Sequence, residues 1–202
     1  TPSTWSQAPG NPAVVLYNLL RGIRDAAGNW VYGLQTVGAA QLPLSAWAAA
    51  ANECDLTVTN ADASTAQQRG AGGEIQFASQ PGDEMEALLT ACNGRLAEVG
   101  GIYKPHIGAA GSAVFSFNDA DIISTDKQTF TAFPGLDQAV NGVTGTFISP
   151  EDGWVEKDLP PRYDADFEAE DGGRRSLANV QYTRVTSNQQ GQRLMLSILQ
   201  EQ

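Results

Sequence analysis

Apolar residues along this chain recur in two rhythms, one of helical period and one of period two. Val15, Leu16, Leu19, Leu20 and Ile23 form a stripe at helical spacing. It is entered through Asn11, whose side chain can accept the free N–H groups of a first turn, and Pro12, whose missing N–H costs nothing there. The Gly28-Asn29 pair breaks the pattern. A second helix is expected after Pro43, with Leu44, Trp47, Ala48 and Ala51 on one face and an alanine run suited to close packing. A third is expected from about Asp83, carrying Met85, Leu88, Leu89 and Cys92, and Asn93-Gly94 stops it in the left-handed conformation. A fourth starts near Ser187, where Ser187 and Gln190 have capping-box spacing, and uses Leu194, Met195, Ile198 and Leu199.

Between these helices the pattern turns to alternation. Residues 74–78, 95–99, 101–107 and 113–117 are strand candidates, with Gly100-Gly101 as a tight turn and Pro105 marking an edge strand. Residues 143–149 and 154–158 flank the hairpin loop Pro-Glu-Asp-Gly, in which Gly153 takes the positive-φ position. Val180 and Tyr182 alternate with Gln181 and Thr183 in one more strand. Residues 59–73, rich in Ala, Gly, Ser, Thr and Gln, read as a mobile surface loop. Helices and antiparallel-looking strands without a regular βαβ beat indicate an α+β fold. The expected organisation is a flexible start at residues 1–10, a helix-containing lobe at 11–125 and an antiparallel β-rich lobe at 126–202 ending in a helix.

The 202 residues are 42% hydrophobic and 17% charged, as suits a globular protein. There is no apolar run of about 18 residues, so no membrane-spanning helix is expected. Beginning at Thr1-Pro2 and ending inside a helical pattern, the chain reads as a piece of something longer. A net charge of −11 argues against bound nucleic acid, which requires clustered Lys and Arg. The acids gather in residues 151–171, opposed there by Lys157 and Arg162. That segment is either a solvated loop region or a wall that repels passing DNA.

Candidate chemistry is sparse. The one histidine, His106, has no Cys or second His near it in sequence, and the chain has no Cys-x-x-Cys or His-x-x-x-His pair. We read His106 as structural. Asp164, Asp166 and Glu168 mimic the start of a calcium loop, but Ala169 stands where the turn needs glycine and the twelfth position lacks Glu. This stretch reads as an acidic loop ending in a Gly-Gly turn. The Gly-rich pieces match neither the dinucleotide fingerprint nor the phosphate loop, and Ser112 lacks the flanking glycines of a nucleophile elbow. Cys54 and Cys92 read as two buried free thiols, and Trp47 as core. Trp30 and Trp154 lie beside turns, where exposed rings can stack on sugars; Trp5 completes the set. No catalytic residue, cofactor or metal ligand is assigned, and the chain is read as non-enzymatic. The rivals are a cell-wall hydrolase using paired carboxylates and a carbohydrate-binding adsorption module.

Several segments resemble, in order, those of a known family. Asn11-Pro12-Ala13, Tyr32-Gly33, Trp47 and Cys54-Asp55 come first. They are followed by "LLTACNGRL" (Leu88 to Leu96), "VNGVTGTFISPEDGW", the acidic "DFEAEDGG" and "VTSNQQGQRL", with Gly191 where the family usually has alanine. Together they are similar to the J-like tail-tip attachment (central hub) proteins of long-tailed bacteriophages, prophages and gene transfer agents, over about residue 11 to the C-terminus. The resemblance implies a structural role in a virion tail tip assembled in the bacterial cytoplasm. It implies a homotrimer of the full-length protein that closes the tail tube and contacts the distal tail, tube and tape-measure proteins. Other domains would meet the bacterial surface receptor, and DNA would pass without being bound. A reducing cytoplasm argues against a Cys54–Cys92 bond during assembly.

Overall fold

The computed structural model describes residues 10–108, 115–121, 129 and 140–200. Most of the expected opening linker, Trp5, Ser112, the first two residues of the 113–117 candidate and the lobe boundary near Asp126 lie outside them.

Helix α1 spans Pro12–Arg21 and starts as its cap predicts: Asn11 Oδ1 accepts from the N–H groups of Ala13 (3.0 Å) and Val14 (3.3 Å). Leu16, Leu19 and Leu20 are buried, and Gly22 at φ 74 ends the helix. Ile23 is therefore not part of the helix, a correction to the stripe. It belongs to a short strand, β1 (Ile23–Arg24), paired antiparallel with β2 (Trp30–Tyr32). The cause is close approach, since a Cβ on Gly22 would sit 2.4 Å from the Leu34 carbonyl oxygen.

Helix α2 (Leu44–Asp55) buries Trp47, Ala50, Ala51 and Cys54. Leu44, expected inside, is 46% exposed, and Ala48 is half-buried. The buried face is turned by about one position because Trp47, whose indole N–H donates to the Tyr103 carbonyl at 3.1 Å, sets the orientation. Residues 59–73 are not simply a loop. β3 (Thr57–Thr59) pairs antiparallel with β4 (Thr65–Gln67), and the Arg69 amide then bonds the Cys54 carbonyl. Residues 74–78 form no strand; the Arg184 guanidinium holds the Glu74 carbonyl at 2.8 Å, in place of a neighbouring strand.

Helix α3 (Pro81–Cys92) stops at Asn93, left-handed at φ 47 as expected. β5 (Gly94–Val99) and β6 (Ile102–Ile107) make the expected hairpin, with Gly100 and Gly101 both at positive φ. Phe115 and Phe117 lie in irregular chain with their rings 4.8 Å apart, so the described part of the 113–117 candidate is not a strand.

The remaining described chain builds one mixed sheet, where an antiparallel one is expected, because the chain crosses over through α4 before β9. β7 (Gly142–Ser149) lies between β8 (Val155–Tyr163), antiparallel to it, and β9 (Leu177–Tyr182), parallel to it. A short helix, α4 (Ala165–Glu170), occupies the acidic stretch that reads as a loop in sequence. Helix α5 (Asn188–Gln200) packs on the sheet through Leu194, Met195 and Leu199 against Val143, Phe147 and Leu159. Helices with small sheets confirm the α+β class.

Helix α3 is where the buried clusters meet. Leu88 joins the helical core of Leu16, Leu19, Leu20 and Trp47; Ala91 joins the sheet–α5 core; Cys92 joins a small cluster with Ala13, Val14, Ala50, Ala51, Cys54 and Ile107. No helix among the described residues is long and apolar enough to cross a membrane.

Candidate functional site

The segment most distinctive in sequence, residues 151–171, forms an exposed acidic face. Glu151, Asp152, Glu156 and Asp158 are exposed around the β7–β8 hairpin. Their neighbours favour the ionised form of two of them. Asp152 accepts from Lys157 Nζ (2.5 Å) and Ser149 Oγ (2.6 Å), which holds its carboxyl below the usual value. Glu156 lies across the sheet face and accepts from Thr146 Oγ1 (2.6 Å) and Gln181 Nε2 (2.7 Å), with the same effect. A cleft of 610 Å³ between the hairpin and the start of α5 is lined by Glu151, Asp152, Lys157, Asp158 and Ser187.

At the hairpin tip Gly153 takes φ 83 as expected, and Trp154 follows at φ 64, a region that a bulky side chain occupies at a cost of about 1 kcal/mol. Its amide is tied to the Ser149 carbonyl at 2.8 Å, and its side chain is 55% exposed. Trp30 sits in β2, a different sheet, 41% exposed with its indole N–H on the Gly33 carbonyl. Trp47 is core, as expected.

The calcium-like acids have local duties. Asp164 caps α4 by accepting from the amides of Asp166 (3.0 Å) and Phe167 (3.1 Å), and Glu168 pairs with Arg175 at 3.0 Å. No group of three or more His, Cys, Asp or Glu placed to hold a metal occurs among the described residues. His106 is exposed on β6 and, with Glu53, lines an open groove of 280 Å³ between α2 and β6. Cys54 and Cys92 are free and fully buried in one cluster, and Cys92 Sγ donates to the Leu89 carbonyl at 3.5 Å.

Several buried polar groups have no clear signal in the sequence. Arg184 forms an ion pair with Glu84, which also accepts from Ser79 Oγ at 2.9 Å. Gln190 makes half of the expected capping box, its amide donating to Ser187 Oγ at 3.4 Å. Its side chain instead bonds the Gly70 amide and the carbonyls of Gly70 and Ala91 at 2.8–2.9 Å, joining α5 to α3 and to the segment after β4. Asn141 bonds Asp171, the Arg174 carbonyl and the Ser176 amide, fixing the entrances of β7 and β9 together. Tyr182 lines a 330 Å³ groove with Leu89, Val180, Leu194 and Ile198, and its buried hydroxyl has no hydrogen-bond partner among the described residues.

Comparison with protein-family models and with curated proteins gives no match.

Proposed function

We propose that this chain is a structural domain of a phage or prophage tail-tip hub, working through protein–protein contact to close the tail tube and support host attachment and DNA delivery. One observation carries the reading. The residues in which the chain resembles hub proteins are those that hold its shape. Asn11 caps α1 and bonds the Ala51 carbonyl; Tyr32, Trp47, Cys54, Leu88 and Cys92 are buried. Gly33, at φ 90, leaves no room for a Cβ beside the Leu19 carbonyl. Gln190 ties three segments together. In the full-length homotrimer the acids of residues 151–171 line the path of the DNA, where like charge keeps a duplex from adhering.

The test is immunogold electron microscopy of particles with antibodies raised against this chain. Gold at the distal end of the tail is expected, and gold confined to heads or absent from particles refutes the proposal. In particles carrying Glu151→Lys, Glu156→Lys and Asp158→Lys, DNA delivery slows at unchanged particle number; unchanged delivery refutes the lumen assignment. Strong clearing of peptidoglycan by the purified chain refutes the non-enzymatic reading and favours the hydrolase. A second reading, a carbohydrate-binding adsorption module, is favoured by the outward Trp154. Glycan binding that disappears in Trp154→Ala and Trp30→Ala supports it.

A further inference from the structure

We propose that the outer edge of β9 and the groove beside it dock an extended, basic segment of another protein. The segment adds to the sheet as a fourth strand and places one uncharged side chain in the groove. The inference goes beyond the tail-tip reading and does not rest on it. The strand order is β8-β7-β9, so among the described residues β9 is paired on one side only. Just before β9, the Ser176 carbonyl accepts from the Gly142 amide at 3.1 Å, and the Ala178 carbonyl accepts from Thr144 Oγ1 at 3.3 Å. The Val180 carbonyl also faces β7, since a Cβ on Gly145 would stand 2.7 Å from it. Backbone direction alternates along a strand, so the N–H and C=O groups of Leu177, Asn179 and Gln181 point away from β7. All three residues are exposed. A row of outward backbone groups of this kind pairs readily with an incoming strand.

The side chains of Val180 and Tyr182 lie on the α5 side of the sheet and line the 330 Å³ groove with Leu89, Leu194 and Ile198. Residues of an added strand that stand opposite Val180 and Tyr182 share that face and so enter the groove. The Tyr182 hydroxyl, buried and with no hydrogen-bond partner among the described residues, leaves this wall of the groove incomplete. A side chain that ends in an acceptor oxygen, such as glutamine, completes it. Glu86 and Arg95 also line the groove and carry opposite charges, so the entering side chain is uncharged. Charge decides what the segment belongs to. At a net −11 a second copy of this chain is repelled, whereas a segment flanked by lysine or arginine is attracted.

The probe is a displayed library of short peptides with lysine at both ends and a randomised middle, selected on the whole chain. Enrichment of alternating sequences with an uncharged, oxygen-tipped side chain at the centre is expected. The enriched peptide, made synthetically and labelled, is then titrated by fluorescence anisotropy. Asn179→Pro deletes an outward N–H without touching the bonds to β7, and it weakens binding by more than about tenfold. Tyr182→Phe weakens it by roughly threefold to tenfold. Amide exchange at Leu177, Asn179 and Gln181 slows when the peptide is bound. If circular dichroism shows that Asn179→Pro does not fold, the exchange protection and the Tyr182→Phe loss decide. No enrichment over a chain carrying Ile198→Glu overturns the proposal. So does equal binding of a lysine-flanked peptide with proline at alternate positions, which reports net charge alone. Binding that Asn179→Pro leaves unchanged places the ligand in the groove without the strand and also overturns it.

Discussion

Replacing Arg184 by methionine tests the contact that most directly joins the two halves of the fold. Arg184 follows β9 and its guanidinium meets Glu84 in the first turns of α3, with side-chain exposures of 14% and 9%. The same guanidinium donates to the Glu74 carbonyl at 2.8 Å. Methionine keeps the apolar stem and deletes the charge, leaving the Glu84 carboxylate enclosed with Ser79 Oγ as its remaining hydrogen-bond donor. Losing one partner of a buried pair costs about 3–5 kcal/mol. The lower end applies, because Ser79 still donates and Arg184 Nε already has no partner. A loss of about 3 kcal/mol, or roughly 9 °C in melting temperature, is therefore expected. The assay is urea unfolding followed by circular dichroism, run as a double-mutant cycle with Glu84→Gln. The double variant loses less than the sum of the single ones by at least about 1 kcal/mol. If Arg184→Met loses less than about 0.5 kcal/mol, or the two changes add, the pair does not hold these halves together.

Two further substitutions probe the sheet–α5 core. Burial pushes the Tyr182 phenol up to about 12, so the neutral form is favoured in the folded state. The associated stability is present below the unfolded value of about 10 and is lost as pH rises from there towards 12. Tyr182→Phe removes that loss and leaves neutral-pH stability within about 1 kcal/mol, because the hydroxyl has no partner to lose. Unfolding curves from pH 7 to 11 check both statements, and an unchanged alkaline slope in Tyr182→Phe refutes them. Gly191→Ala gains about 1 kcal/mol of helix propensity, but its Cβ would stand 2.7 Å and 3.0 Å from the Leu159 methyls. Overpacking at so tight a contact outweighs the gain, giving a net loss of about 1 kcal/mol that Leu159→Val relieves. Stabilisation by Gly191→Ala alone, measured by thermal melting, contradicts the packing argument.

Legibility varied with sequence distance. The Asn11 cap, the Asn93 stop, the Gly100-Gly101 turn and Gly153 were read correctly because each acts within a few residues. The buried face of α2 differs by about one position from the one its sequence suggests. Alanines look equivalent in a sequence, whereas in the fold the Trp47 ring and its bond to Tyr103 choose which of them turn inward. The acidic stretch reads as a loop because its carboxylates outnumber its apolar residues, yet Asp164 starts α4 by capping it. As for the candidate site, the acids, the exposed Trp154 and the buried cysteines were visible as residues. Their partners Thr146, Gln181 and Lys157, and the one buried cluster that holds both thiols, were not.

By itself the sequence determined the α+β character, most of the helices, the glycine turns and the concentration of acid in residues 151–171. These follow from backbone sterics, capping and hydrophobic period, which operate within a turn or two of chain. Tertiary structure alone decided that β9 joins β7 in parallel, that residues 57–67 fold back as a hairpin and that Arg184 finds Glu84. It also decided that Cys54 and Cys92 share one buried cluster and that the Gln190 side chain turns to Gly70 and Ala91 while its amide keeps the Ser187 cap. Such pairings join residues tens of positions apart, and their energies depend on what else is buried beside them, which no local pattern encodes.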